Sequence, residues 1–203
     1  MLTLYYYAAR GTADKIRLFL AEAGATFDEV IVNQKNFESL SAQFPFEQLP
    51  TLKDSDCEMY LSGDMTIMRY IARKFNLYGN NITEQSTIDM WAEVANTFQH
   101  DLWRARFMQC SLSDLKVTEL KARWITDNTQ RFVALASKIS QLTTVFVCGK
   151  SLSYADICLY AFLDSLAREV PLALITFPPL EKFHSYFNSR PAIKKLTTSG
   201  MRY

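Results

Sequence analysis

The stretch Phe44-Pro45-Phe46-Glu47-Gln48-Leu49-Pro50-Thr51-Leu52 holds the first residues whose order bears on chemistry. Proline lacks a backbone donor and cannot lie mid-ladder, so Pro50 marks the entry to a strand. An X-Pro bond at that point is compatible with a cis peptide. A cis bond would turn the N–H and C=O of Leu49 outward, free to pair with an extended peptide ligand. A loop proline that merely starts a strand fits the same residues. A second set is Tyr5-Tyr6-Tyr7, where strand alternation puts Tyr6 on the opposite face from both neighbours. Three aromatics packing a strand would also satisfy that pattern. Elsewhere the residue types count against familiar chemistries. His100 and His184 stand far from any cysteine or carboxylate at ligand spacing, which favours packing histidines over metal ligands. Cys57, Cys110, Cys148 and Cys158 form no CxxC and no paired spacing. Free thiols in a reducing compartment are therefore expected, with the cytoplasm as the location. No Ser-His-Asp arrangement, phosphate loop or dinucleotide fingerprint stands out.

Short elements must position these residues. Leu2 to Tyr7 reads as a strand, closed by Ala8-Ala9-Arg10-Gly11. From Thr12 the apolar period becomes helical through Ile16, Phe19 and Ala23, and Gly24 suits the position past a helix end. Thr26 to Val32 reads as a second strand, rich in β-branched residues. Strand, helix, strand at this spacing implies a right-handed crossover and a parallel pair. Thr51–Lys53 and Cys57–Leu61 read as a hairpin around Asp54-Ser55-Asp56. A helix follows, with Asp64 as its N-cap. The order βαβ then ββα is that of a thioredoxin-like domain, expected over residues 1–77.

Turn formers cluster at Asn76-Leu77-Tyr78-Gly79-Asn80-Asn81, and residues 82–203 read as an all-helical domain. The fold class is thus α/β plus all-α. Ile82 to about Met108 and Lys116 to about Leu142 read as two long amphipathic helices, with a possible strand only at Val145–Val147. Ser153 and Asp156 have capping-box spacing, and Leu152 and Ile157 can staple the same turn. That helix runs to about Glu169, and shorter helices follow Pro179 and Pro191.

With 203 residues, 49% apolar and 21% charged, the chain has the profile of a soluble globular protein. A formal charge of +1 offers no basic surface for nucleic acid or anionic membrane. The longest apolar runs are too short to span a bilayer, and no signal-peptide pattern opens the chain.

A thioredoxin-like half, a turn linker and a helical half resemble the cytosolic glutathione transferases over essentially the whole chain. The resemblance rests on Leu4-Tyr5-Tyr6-Tyr7 ahead of Arg10-Gly11, on Gln48-Leu49-Pro50, on Ile67 to Arg73, and on Leu77-Tyr78-Gly79. Ser153-x-x-Asp156 and Phe187-x-x-Arg190-Pro191 complete it. The tyrosine-type pi and sigma classes are the most similar. The resemblance implies that Tyr6 is catalytic, hydrogen-bonding the glutathione sulfur and favouring its thiolate. It implies that Leu49 pairs with the cysteinyl unit, that Gln48 contacts the tripeptide, and that Pro50, Phe37, Gly63 and Asp64 complete the thiol site. The electrophile pocket would be lined by Tyr7, Ala8, Trp103, Arg104 and Phe107. Phe46 stands where pi-like homodimers insert an aromatic into the partner, although a core phenylalanine fits as well. Glutathione is the implied co-substrate, with no cofactor or metal, and small hydrophobic electrophiles are the acceptors.

Several positions depart from the pattern that this resemblance implies. Thr12 stands in place of an arginine, Phe37 in place of a tryptophan, and Ser41 in place of a lysine for the glycyl carboxylate. Gly63-Asp64 replaces a Gln-Ser pair, and Thr97 replaces an aspartate that reaches into the partner's site, although Asp101 lies one turn further on. A more negative site implies weakened glutathione affinity, with repulsion between Asp64 and the γ-glutamyl carboxylate expected to outweigh the alternative, capture of the ligand's ammonium group by Asp64. Two alternatives follow: a non-catalytic binding or structural protein of the S-crystallin kind, or the same fold serving another thiol.

Overall fold

In the computed structural model, residues 1–107 and 114–200 are described, with side chains for 1–105 and 116–200. In chain order the elements are β1 (Leu2–Tyr6), α1 (Asp14–Glu22), β2 (Phe27–Ile31), α2 (Gln34–Ser41), β3 (Thr51–Asp54), β4 (Met59–Ser62) and α3 (Asp64–Lys74). There follow α4 (Ile82–Phe107), α5 (Asp114–Asp127), α6 (Thr129–Ser140), α7 (Tyr154–Glu169), α8 (Pro178–Asn188) and α9 (Pro191–Thr198). By contacts the chain divides into two units, Met1–Tyr78 with the segment from Ser189 onward, and Gly79–Asn188. The last helix therefore lies with the first unit, although the sequence reading grouped it with the helices before it.

The first unit carries a four-stranded sheet of order β2-β1-β3-β4. β1 and β2 are parallel, while β1–β3 and β3–β4 are antiparallel. Leu2, Leu4 and Leu52 are buried, α3 packs on β3, β4 and α1, and Ile16, Phe19, Ile67, Met68 and Ile71 of the two helices are buried with them. Gly24 takes φ 67° just past α1, the left-handed conformation that a helix end favours. Arg190 holds Glu22 through two hydrogen bonds, Nε–Oε1 at 2.9 Å and NH2–Oε2 at 2.6 Å, which pins α9 to α1.

Four expectations need correction here. α2 stands where the sequence reading placed no element; Asn33 caps it, accepting from Lys35 N–H and Asn36 N–H, while the Asn36 side chain accepts from Asn33 N–H at 2.7 Å. Gly63, at φ 91°, is the N-cap of α3, and Asp64 is its first helical residue. The run after Lys116 is two helices, with a break at Asn128. Val145–Val147 forms no strand.

In the second unit α4 and α7 are the principal packed pair. α7 is buried from Tyr154 to Leu166, as a helix in the centre of a bundle must be. Phe98 stacks on Phe132 at 5.3 Å and on Phe162 at 5.1 Å, tying α4, α6 and α7 together. Asp156 starts α7 as expected, accepting from Ser153 N–H and the Ser153 hydroxyl at 2.8 Å each. Its other oxygen accepts from Val147 N–H at 2.8 Å, so one carboxylate fixes both the helix start and the preceding loop. Burial pushes its pKa up to about 6. No helix among the described residues is long and apolar enough to cross a membrane.

Candidate thiol site

Strand register gathers the site. Tyr5 pairs with Thr51, and Thr51 with Ser62, so the end of β1, the start of β3 and the end of β4 share one end of the sheet. Tyr6 lies opposite Ile31, so β2 ends there too and α2 departs from that end. Tyr6, Pro50, Gly63 and Asp64 are thereby brought to one rim, together with the helix that carries Phe37. The Leu49–Pro50 bond is cis. The flanking carbonyls are held: Gln48 O accepts from the Thr51 hydroxyl at 2.6 Å and the Ser62 hydroxyl at 3.3 Å, and Pro50 O accepts from Gly63 N–H at 3.1 Å. Leu49 sits half-buried between these anchors, beside an exposed Gln48.

The Tyr6 hydroxyl accepts two hydrogen bonds from Thr12, from its N–H at 3.2 Å and its Oγ1 at 3.1 Å. A phenol oxygen that accepts twice still has its own hydrogen to donate. Gly11 permits this approach: at φ 46°, a Cβ there would lie 2.9 Å from Tyr6 Cε1 and closer still to the hydroxyl. Arg17, fully buried, organises the loop behind Tyr6. Its NH1 donates to the Ala9 and Arg10 carbonyls at 2.8 and 3.3 Å, and its NH2 to the Tyr7 carbonyl at 3.3 Å. Glu29 compensates the charge through Nε at 2.9 Å and a second contact at NH2. The expected alternation lapses as β1 ends, and the Tyr6 and Tyr7 ring centroids approach to 5.4 Å.

Asp64 does not present an uncompensated charge. Lys15 Nζ lies 2.6 Å from Asp64 Oδ2, with the two side chains 4% and 17% exposed. The other oxygen accepts from Met65 N–H at 2.9 Å, as an aspartate at a helix start should. The premise that a bare Asp64 carboxylate faces the ligand is thus replaced by a nearly buried ion pair. Sequence reasoning missed Lys15. The signal was a lysine within the buried stretch of α1, where Asp14, Lys15 and Arg17 interrupt apolar residues. Ser41 is buried and turned back to Glu38 O at 3.5 Å.

In the second unit Trp103 is half-buried and Arg104 exposed. With the Gln99 amide turned so that its oxygen faces the indole, Trp103 N–H donates to it at 2.9 Å and the Gln99 amide donates to Ala161 O at 3.3 Å, which ties this part of α4 to α7. Tyr7 and Ala8 are exposed in the first unit. Phe107 ends α4, and its side chain lies outside the described residues. Phe46 is 88% exposed, which removes the core-phenylalanine reading.

Residues 2–73 match the glutathione S-transferase N-terminal domain, and residues 100–200 match the C-terminal domain of the same family. A glutathione S-transferase 2 of Onchocerca volvulus is 32% identical over 192 residues, covering 95% of this chain and 89% of the relative. The chain belongs to the glutathione S-transferase family. Glutathione S-transferase P of Caenorhabditis elegans is 31% identical over 206 residues, covering 95% of this chain and 90% of that protein. The solved pi-class glutathione S-transferase of Onchocerca volvulus superposes with a TM-score of 0.82 at 29% identity, over 98% of this chain and 92% of that one. The glutathione S-transferase fold thus accounts for both units, and the Tyr6–Thr12 contact lies in the half that matches the N-terminal domain.

Proposed function

We propose that this protein is a glutathione S-transferase that activates the thiol through Tyr6 and transfers the sulfur to small hydrophobic electrophiles. The observation that carries this reading is the pair of hydrogen bonds from Thr12 into the Tyr6 oxygen. They withdraw electron density from the phenol and leave its hydrogen to donate to a sulfur anion. The thiol releases its proton to solvent, the thiolate attacks an electrophilic carbon, and a halide leaves where one is present. Tyr6 keeps its own proton throughout and acts by stabilising the thiolate. The peptide end of glutathione would lie along Gln48, Leu49 and Pro50, near Phe37, Gly63 and Asp64. Tyr7, Ala8, Trp103, Arg104 and Phe107 would contact the electrophile. The protein would work in the cytoplasm, a setting that suits the thiols Cys57, Cys148 and Cys158, none of which is in a disulfide.

Glutathione affinity is weakened in this reading because Thr12 and Ser41 supply no cation for its carboxylates, and Phe37 supplies no indole donor. We also read the protein as a homodimer. Phe46 is exposed at φ 57°, an uncommon conformation for a large side chain, and Met90 and Val94 expose an apolar strip on α4. That strip borders a groove of about 470 Å³ with Thr97 and Arg131.

The test is turnover of 1-chloro-2,4-dinitrobenzene with glutathione. Tyr6→Phe should lose about ten- to a hundred-fold, the value of one charge-assisted hydrogen bond of roughly 1.5–3 kcal/mol. Thr12→Val keeps the backbone donor and loses the hydroxyl, so a decrease of about two- to ten-fold is expected. Unchanged turnover in Tyr6→Phe would remove Tyr6 from the mechanism. No turnover in the natural protein, with retention on immobilised glutathione, would favour a binding role instead.

A further inference from the structure

We propose that Thr51 and Ser62 are positioning residues of the thiol site, an assignment that rests on the reading that the thiol is a peptide lying along Leu49. Their paired hydroxyls hold the Gln48 carbonyl and thereby aim the Leu49 N–H at the incoming peptide.

The two residues meet by register. Thr51 opens β3 and lies opposite Ser62, the last residue of β4, with the hydroxyl oxygens 2.6 Å apart. Thr51 is fully buried. Valine has nearly the same shape and the same preference for strands, so packing does not call for a hydroxyl there. A buried hydroxyl is costly unless it is hydrogen-bonded, and this one is directed at a backbone carbonyl outside the sheet. It lies 2.6 Å from Gln48 O, and the Ser62 hydroxyl lies 3.3 Å from the same oxygen. Each hydroxyl has one hydrogen to give. Thr51 therefore takes the carbonyl, and Ser62 shares its hydrogen between Thr51 and that carbonyl.

The anchor reaches Leu49 through the peptide plane. Gln48 C=O and Leu49 N–H belong to one planar trans peptide, in which the two bonds point in opposite directions. Gln48 is extended, with φ −110° and ψ 150°. With its oxygen turned to Thr51 and Ser62, the Leu49 N–H is turned away from both hydroxyls. Among the described residues nothing accepts from that N–H, and nothing donates to the Leu49 carbonyl. A half-buried donor and acceptor on one residue form an open strand edge, the feature to which an extended peptide adds. On the far side of Leu49, Pro50 O is held by Gly63 N–H at 3.1 Å. Leu49 is thus fixed from one side by the main chain and from the other by two side chains. Without the hydroxyls the Gln48–Leu49 plane can rotate, and ordering it becomes a cost of binding.

The test measures glutathione affinity by calorimetry, and kinetics with 1-chloro-2,4-dinitrobenzene, on the full chain. Thr51→Val removes the hydroxyl and keeps the shape. It should weaken glutathione binding and raise KM for glutathione about two- to tenfold, the worth of one hydrogen bond. Turnover at saturating glutathione and the pH dependence of thiolate absorbance should stay as they are, because both are set at Tyr6. Thr51→Ser returns the hydroxyl and should return the affinity. Ser62→Ala, on the edge strand β4, should act in the same direction by about two- to threefold. It carries the test if Thr51→Val does not fold by circular dichroism. Natural affinity in the folded variants overturns the proposal, as does a loss that Thr51→Ser shares. A fall in stability with KM unchanged would make the hydroxyls structural only, which also overturns it. Absence of glutathione binding and turnover in the natural protein is a separate failure: it removes Leu49 as the thiol contact, and this proposal with it.

Discussion

The ion pair between Lys15 and Asp64 invites a double-mutant cycle. At 2.6 Å and an effective dielectric of about 20, the attraction is roughly 6 kcal/mol before desolvation is deducted. Removing one partner leaves a buried charge unpaired, which costs about 3–5 kcal/mol. The 17% exposure of Asp64 lets water reach it, so the lower end, about 3 kcal/mol, is expected for Lys15→Met and for Asp64→Ser alone. The double variant removes both charges together and should cost only about 1–2 kcal/mol, giving a coupling of about 4–5 kcal/mol. Urea unfolding followed by circular dichroism measures the four stabilities, and hydrogen exchange in α1 and α3 reports the affected unit. Single costs below about 1 kcal/mol that add in the double variant would refute the pair. The same proteins test how Asp64 acts on glutathione. Lys15→Met exposes the ligand to an uncompensated Asp64 and should weaken binding by calorimetry. If Lys15→Met binds glutathione as the natural protein does, Asp64 has no electrostatic effect on the ligand.

If the protein is the homodimer proposed above, Phe46→Ser should shift it toward monomer in light scattering while leaving circular dichroism unchanged, because an 88% exposed ring contributes little to its own subunit. An unaltered dimer would exclude Phe46 as a contact. Asp156 gives a pH signature. Its folded pKa is raised to about 6, whereas an unfolded aspartate titrates near 4, so the folded state binds more protons between those values. Stability therefore falls as pH rises from about 4 to about 6, by about 3 kcal/mol, and is level above. Asp156→Asn should abolish that slope. All three tryptophans, Trp91, Trp103 and Trp124, lie in the second unit, so fluorescence-detected urea unfolding follows it selectively. A slope equal in both proteins would show that Asp156 does not titrate there.

What could be read in advance was what depends on local chemistry. Pro50 marked a strand entry, Ser153 and Asp156 marked a helix start, and period changes located the strands and most helices. α2 was missed because its cap is the weaker Asn33–Asn36 pair and its apolar face is short. The break at Asn128 was missed because the apolar pattern continues across it. Lys15 was invisible for a different reason. A lysine in an amphipathic helix is normally solvated, and its burial becomes evident only when α3 brings Asp64 to it. The contact from Thr12 to Tyr6 likewise needs the positive φ of Gly11 to fold the loop back, and no periodicity encodes that.

These two missed contacts are linked by charge. The resemblance implied a cation at position 12, on the loop facing the ligand. Thr12 instead gives Tyr6 neutral donors, while the nearby lysine lies inside α1 and is engaged by Asp64. A cation held this way cannot also serve a ligand carboxylate at full strength, because each oxygen it meets shares the same few N–H groups. In the function proposed above, the rim around Tyr6 would polarise a phenol without a strong electrostatic grip on an anionic tripeptide, and thiol activation and thiol affinity would be separable. Restoring the cation with Thr12→Arg should raise glutathione affinity by calorimetry, by about ten- to a hundred-fold for one hydrogen bond to a charged group. It would lose the hydroxyl donor to Tyr6 and so should not raise turnover at saturating thiol. If affinity stays flat while turnover at saturation rises, position 12 acts on Tyr6 alone and the separation of roles is wrong.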